Sequence, residues 1–341
     1  MRIAVDVMGG DHAPDAILTG SLDALDLLGP KDRLALVGDG KVIADKIQEN
    51  GLDGDQRVEV EATSQIIAMD ESPVTALRSK TDSSIARLAQ MAGKKHSGDR
   101  PADVIISAGN TGAYVAAAQM QMRRLPLVTR PGIAVTLPTF HGPIIICDVG
   151  ANPDPKPHHL HQYAHMAGVY AQKIIEVASP RVALLSIGGE EGKGNALVRD
   201  THRLIKGDAS LNYAGYIEGR DLFDGKADVV VTEGFTGNVV LKLAEGLAAG
   251  LFKTIAAEIV AVDPALAMKF EPVVKSIYRK HDYHEYGGAP LLGANGICMI
   301  CHGSSEARTI KAAIGNAIRY TTLGVNHAIV ESLKTQEMAH A

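Results

Sequence analysis

The 341-residue chain has no tryptophan, and aromatic side chains make up only 4% of it. That scarcity argues against the aromatic platforms on which single-strand nucleic-acid binders stack their bases. Positive charge is not in surplus either. The formal net charge is -5, whereas phosphate-backbone binders concentrate lysine and arginine. No nucleic-acid partner is expected. Three cysteines, Cys147, Cys298 and Cys301, are too few and too unevenly placed for a disulfide framework, which fits a reducing compartment. No uncharged apolar run reaches the ~18 residues of a membrane span. The opening Arg2–Val7 stretch lacks a basic region followed by an apolar core, so no signal peptide is expected. A cytoplasmic protein is the expectation.

Glycine, by contrast, is abundant at 35 residues, and much of it follows short apolar runs. Ile3–Val7 leads into Met8-Gly9-Gly10-Asp11, and Leu34–Val37 into Gly38-Asp39-Gly40. Val104–Ser107 leads into Ala108-Gly109-Asn110-Thr111-Gly112, and Ile144–Cys147 into Asp148-Val149-Gly150-Ala151-Asn152. Val182–Ser186 precedes Gly188–Gly194, and Val229–Val231 precedes Glu233-Gly234-Phe235-Thr236-Gly237-Asn238. Runs without polar alternation fit strands covered on both faces. Their alternation with helical stretches such as Tyr114–Arg124 and Ala196–Lys206 predicts βαβ units. The expected fold is α/β, with a mostly parallel, doubly wound sheet. Lys94–Pro101 reads as a polar loop and Pro153–Pro157 as a stiff one. No fixed-period repeat or long linker divides the chain, which predicts one domain over 1–325 and a C-terminal tail at 326–341.

In such sheets the turns at the carboxyl ends of strands gather around one crevice. Glycine admits close backbone approach, and helix N-termini offer unpaired N–H groups, so an anion such as phosphate is the natural ligand. Nucleotide motifs fail: Gly188–Lys193 lacks P-loop spacing, and Lys193 is followed by Gly194. Gly38-x-Gly40 lacks the third glycine of a dinucleotide fingerprint, since Ile43 stands there. The cations near the turns are Lys193, Arg123, Arg124, Arg130, Lys242 and Lys253, of which Lys193 is flanked by glycines. Asn110, Asn152 and Asn238 each end a glycine-rich turn, either as helix caps or as amide donors to an oxyanion.

Asp6–Asp11, Ser107–Ala113, Asp148–Asn152, Gly189–Gly194 and Glu233–Asn238, together with Tyr286–Gly293 and His302-Gly303, resemble the signature segments of the bacterial phosphate acyltransferases, the acyl-carrier-protein–phosphate transacylases of phospholipid synthesis. The matching segments run in order from Ile3 to about Arg319. The resemblance implies a three-layer αβα Rossmann-like fold, similar to phosphotransacetylases and isocitrate-dehydrogenase-like folds. It also implies a homodimer, transient membrane contact, and a membrane glycerol-3-phosphate acyltransferase as the next enzyme. Acyl carrier protein and inorganic phosphate are the implied substrates, with no cofactor and no metal. Phosphate would attack the thioester directly, and no G-x-S-x-G elbow is present. On this basis Lys193 and Asn238 are the expected catalytic pair. Gly9, Gly10, Asp11, Ser107, Asn110, Thr111, Asn152, Thr236 and Gly237 are the expected contacts for phosphate or the carrier's pantetheine. Glu191, with Glu190, is expected to orient Lys193 or to cap a helix, and His302 is a further candidate.

Two signals compete. His158, His161 and His165 fall on one helical face after Pro157, with Asp148 and Asp154 upstream, a pattern that can ligate zinc and suggests a metal-dependent hydrolase. Leu247, Leu251, Ile255 and Ile259, with Phe252, form an apolar stripe continued by Met268–Ile277. It reads either as core or dimer packing, or, following the resemblance, as a protruding helical segment at about 247–280. In the second reading Leu251, Phe252, Ile255 and Ile259 would touch a membrane, and Lys269, Lys275, Arg279 and Lys280 would suit anionic lipid. Cys298-x-x-Cys301 has no second pair and reads as thiols packed in an apolar strand.

Overall fold

The computed structural model describes residues 1–93, 100–262, 264–280 and 286–340. Most of the expected polar loop, residues 94–99, lies outside them. The chain begins β1 (Arg2–Asp6), α1 (Asp15–Asp23), β2 (Arg33–Gly38), α2 (Gly40–Glu49), β3 (Val58–Ala62), α3 (Pro73–Ser79) and α4 (Ser84–Met91). It continues β4 (Val104–Ser107), α5 (Thr111–Met122), β5 (Gly132–Leu137), β6 (Ile144–Cys147), α6 (Pro157–Tyr170), β7 (Val182–Leu185) and α7 (Ala196–Lys206). Then follow β8 (Tyr213–Ile217), β9 (Val229–Val231), α8 (Gly234–Val262), α9 (Pro264–Lys280), β10 (Ala289–Leu292), β11 (Ile297–Ile300), α10 (Ala307–Thr322) and α11 (Val325–His340). Contacts divide the chain into two compact units, Met1–Pro131 with Tyr286–Met338, and Gly132–Glu285.

In the first unit the strand order is β3-β2-β1-β4-β11-β10, parallel except for the β10–β11 pair. The chain builds outward from β1 to β3, then crosses back to lay β4 on β1's other side. This reversal is the switch point at which open α/β sheets bind ligands. Every residue of β4 is buried, as its apolar run Val104–Ile106 requires. Edge strand β3 instead carries Glu59 and Glu61, charges that discourage pairing with another chain.

In the second unit the order is β5-β6-β9-β7-β8, with only β5–β6 antiparallel. Strands β6, β7 and β9 are wholly buried runs of isoleucine, valine, leucine, alanine and one cysteine. Because β6, β9 and β7 are parallel neighbours, the turns that follow them leave from one edge of the sheet. The fold is thus mixed α/β and mostly parallel. The segment read as a tail, 326–341, is helical through His340. Val325, Ile329 and Leu333, four apart, are buried along one side of α11.

Candidate active site

In the first unit, three glycine turns meet around a buried carboxylate. Asp6 ends β1, accepts from Met8 N (3.1 Å), and receives the Ser107 hydroxyl at 2.7 Å. Ser107 Oγ in turn accepts from Gly109 N at 3.0 Å. Burial pushes the Asp6 carboxyl above its ordinary range, against these hydrogen bonds. The fit leaves no room for side chains at Gly9, where a Cβ would lie 2.6 Å from both Asp6 Oδ2 and Gly109 N. Gly10 has φ +114, a conformation that glycine adopts without strain. Asp11 N donates to Gly303 O at 2.7 Å, bringing in the turn after β11. In that turn Ser304 N donates to His302 Nδ1 at 3.2 Å, and Ser304 Oγ lies 2.7 Å from the same nitrogen.

Asn110 caps α5, its Oδ1 accepting from Ala113 N at 3.0 Å. Its Nδ2 donates to the carbonyls of Ala68 and Glu71 at 3.0 and 3.1 Å. Asn110 was expected to contact ligand, but its amide is committed to pinning the 68–71 loop to the helix start. Thr111 is exposed on the first turn beside it.

The second unit repeats the device at β6. Asp148 Oδ1 accepts from Ile133 N (2.9 Å), Gly150 N (3.1 Å) and Ala151 N (3.0 Å), and Oδ2 from Asn152 N at 2.7 Å. Burial raises this carboxyl also. Asn152 donates from Nδ2 to the Tyr163 hydroxyl at 2.8 Å, and its carbonyl accepts Gly234 N at 2.8 Å. The start of α8 lies so close to this turn that a Cβ at Gly237 would stand 1.9 Å from the Asp148 carbonyl oxygen. A Cβ at Gly234 would be 2.7 Å from the Asn152 carbonyl oxygen. This packing sets Asn238 over Gly150, whose own Cβ would fall 4.0 Å from the Asn238 side chain.

Glu233 closes the N-terminus of α8. Its carboxylate accepts from Phe235 N (2.6 Å) and Thr236 N (2.9 Å), and from the Thr236 hydroxyl. The expected phosphate contacts Thr236 and Gly237 are therefore occupied internally, the first by Glu233 and the second as a packing glycine. Lys193 lies exposed in the loop after β7, and among the described residues no carboxylate lies within ion-pair distance of it. Glu191 does not orient Lys193. It pairs with Lys206 at 2.6 Å and lies 3.7 Å from His202, which together hold its carboxyl below the usual range.

The histidine face divides. His158 is exposed and its ring packs edge-on against His159. His161 and His165 turn inward to Asp208, each Nε2 2.8 Å from Oδ2. Asp148 serves backbone amides and Asp154 is exposed, so the open metal face of the hydrolase reading is not assembled. Sequence reasoning gave no role to Asp6, Glu233 or Asp208. The first two left a signal: Asp6 is the one charged residue in the run Ile3–Val7, and Glu233 directly precedes Gly234.

Beyond Gly237 no residue of α8 is buried. Leu247 is 68% and Leu251 56% exposed. Leu243, Ile255, Met268 and Val273 are also exposed, while Phe252 and Ile259 are half-buried. The side chains of Lys275, Arg279 and Lys280 lie outside the described residues, and Lys269 is exposed. Among the described residues no helix is long and apolar enough to cross a membrane.

A family described as "Fatty acid synthesis protein" matches residues 1–328. The phosphate acyltransferase of Heliobacterium modesticaldum is 43% identical over 336 residues, covering 98% of this chain and 97% of that protein. That of Geobacter sulfurreducens is 43% identical over 342 residues, covering 100% and 96%. Among solved structures, a phosphotransacetylase from Streptococcus pyogenes superposes with TM-score 0.58 at 16% identity, covering 96% of this chain and 94% of that one. The EutD phosphotransacetylase from Staphylococcus aureus gives 0.56 at 15%, with the same coverage. These two share the fold. The full-length likeness at this level of identity makes the chain an acyltransferase that belongs to the phosphate acyltransferase family.

Proposed function

We propose that the enzyme transfers a fatty acyl group from acyl carrier protein to inorganic phosphate, giving acyl phosphate for phospholipid synthesis. A phosphate oxygen attacks the thioester carbonyl carbon, and the C–S bond breaks with its electron pair leaving on the phosphopantetheine sulfur. A thiol of pKa about 8.5 departs as thiolate with little acid help. The protein's part is to position two reactants and to stabilise charge on the carbonyl oxygen. Lys193 supplies positive charge to phosphate, and Asn238 an amide donor to phosphate or to that oxygen.

The observation that carries this reading is the edge of the second unit's sheet. Turns from three parallel strands leave there with an exposed lysine that has no carboxylate partner among the described residues, and with the Asn238 side chain set over a glycine turn. Direct attack is supported by the thiols. All three cysteines are buried, and burial pushes Cys298 and Cys301 up to about 12 and Cys147 well up, so none offers a thiolate for an acyl-enzyme. Purified enzyme with acyl–acyl carrier protein and phosphate should yield acyl phosphate and free carrier thiol in equal amounts. Fatty acid released at the same rate without phosphate would overturn the reading in favour of a hydrolase.

The same reading includes a homodimer, and a cytoplasmic enzyme whose exposed α8–α9 stripe rests transiently on a membrane surface. The product would pass there to a membrane glycerol-3-phosphate acyltransferase. An apolar stripe of this length exposed on one chain supports a surface-bound or partnered state.

A further inference from the structure

We propose that His161, His165 and Asp208 form an interior site for one zinc-class divalent ion, which fastens α6 to the turn after α7. The two histidines stand four residues apart on α6, hence on one face, with ring centroids 5.2 Å apart. Both Nε2 atoms lie 2.8 Å from the same oxygen, Asp208 Oδ2. One nitrogen from each ring and one carboxylate oxygen all lie within 4.8 Å of one another. The three residues are 2%, 2% and 6% exposed.

Two features point beyond a plain hydrogen-bonded trio. The carboxylate is aimed: Ser210 N and Oγ hold Oδ1 at 3.0 and 2.6 Å, leaving Oδ2 directed at the imidazoles. Such outer-sphere orientation is what metal ligands require. The carboxylate also lacks a permanent countercharge, since among the described residues only the two histidines pair with it. A buried carboxylate is costly without one, and a divalent cation supplies it.

Two imidazoles and a carboxylate suit zinc over calcium or magnesium, which favour all-oxygen sites. At metal–ligand distances of roughly 2.0–2.1 Å, tetrahedral ligands lie about 3.3–3.5 Å apart. Each 2.8 Å nitrogen–oxygen separation therefore widens by about half an ångström on binding, and water completes the fourth position. Burial makes the role structural. Between the two histidines, Tyr163 holds Asn152, so anchoring α6 also steadies the turn beneath Asn238.

Chelator-stripped full-length enzyme should bind one equivalent of Co2+, with a visible d–d absorption band that Zn2+ displaces. Zn2+ should also raise the melting temperature. Loss of an orienting partner alone weakens metal binding about 10–100-fold, so His161→Gln, His165→Gln and Asp208→Asn should each lose at least that. His158→Gln, on the exposed side of the same helix, should bind like wild type. If an interior variant fails to fold, the wild-type spectrum and melting shift still decide. No cobalt band together with no shift, or equal loss in His158→Gln, overturns the site.

Discussion

At the scale of single residues, the strongest constraint is the space denied to side chains. Gly237 cannot carry a methyl group without moving α8 off the Asp148 carbonyl, 1.9 Å from where the Cβ would stand. Gly237→Ala should cost about 1–3 kcal/mol, the usual range for overpacking, and lower turnover by displacing Asn238. Urea unfolding and acyl phosphate formation measured on the same preparation would check both. Lys193 makes a different demand. It is exposed, so Lys193→Ala should leave the melting temperature unchanged while reducing acyl phosphate formation by about 10²–10³-fold, the scale of losing one charge-stabilising donor. Full activity would remove it from the mechanism. The glycines were legible in the sequence because close approach leaves nothing else possible there. The fate of the polar residues was not. Asn110, Asn152 and Thr236 have the chemistry of ligand donors, yet neighbouring backbone or side-chain groups occupy them, and that competition depends on packing.

At the scale of elements, strand runs and helix stretches were readable from apolar patterning, because β4, β6, β7 and β9 are buried along their whole length. Strand order was not readable, since nothing in Val229–Val231 announces insertion between β6 and β7. Nor could the pairing of His161 with Asp208, 47 residues away, be inferred from local spacing. One clip secures the inserted strand. Arg181, just before β7, binds Asp228, just before β9, through N (2.7 Å), Nε (3.0 Å) and Nη2 (2.8 Å). Burial alone would raise the Asp228 carboxyl, but Arg181 outweighs it and the net position is below 3.8. A carboxyl lowered on folding stabilises above its unfolded pKa, and that contribution fades as pH falls through the folded value. Asp228→Asn should therefore cost about 1 kcal/mol at pH 7, allowing for solvent around the half-exposed arginine. The difference from wild type should shrink as pH drops from about 4.5 through 3.8 and below. Melting curves across that range would show it, and a gap constant with pH would contradict it.

At the scale of the whole molecule, net charge and aromatic scarcity argue against nucleic acid without identifying a partner. The visible partner signal is the apolar stripe. Flotation with vesicles containing anionic phospholipid should carry wild-type enzyme upward and leave Leu251→Glu, an exposed position, in the dense fraction. Equal flotation of the two would dismiss the membrane contact. Helix α8 is one unbroken element of 29 residues, about 43 Å at the usual rise. Its root is wedged by glycine against the β6 turn and bears Asn238, while its shaft bears the stripe. With Asn238 in the role proposed above, the helix is a lever with the chemistry near its fulcrum. Whatever seizes the exposed arm also stiffens the base, so turnover should respond to occupation of a surface remote from Asn238.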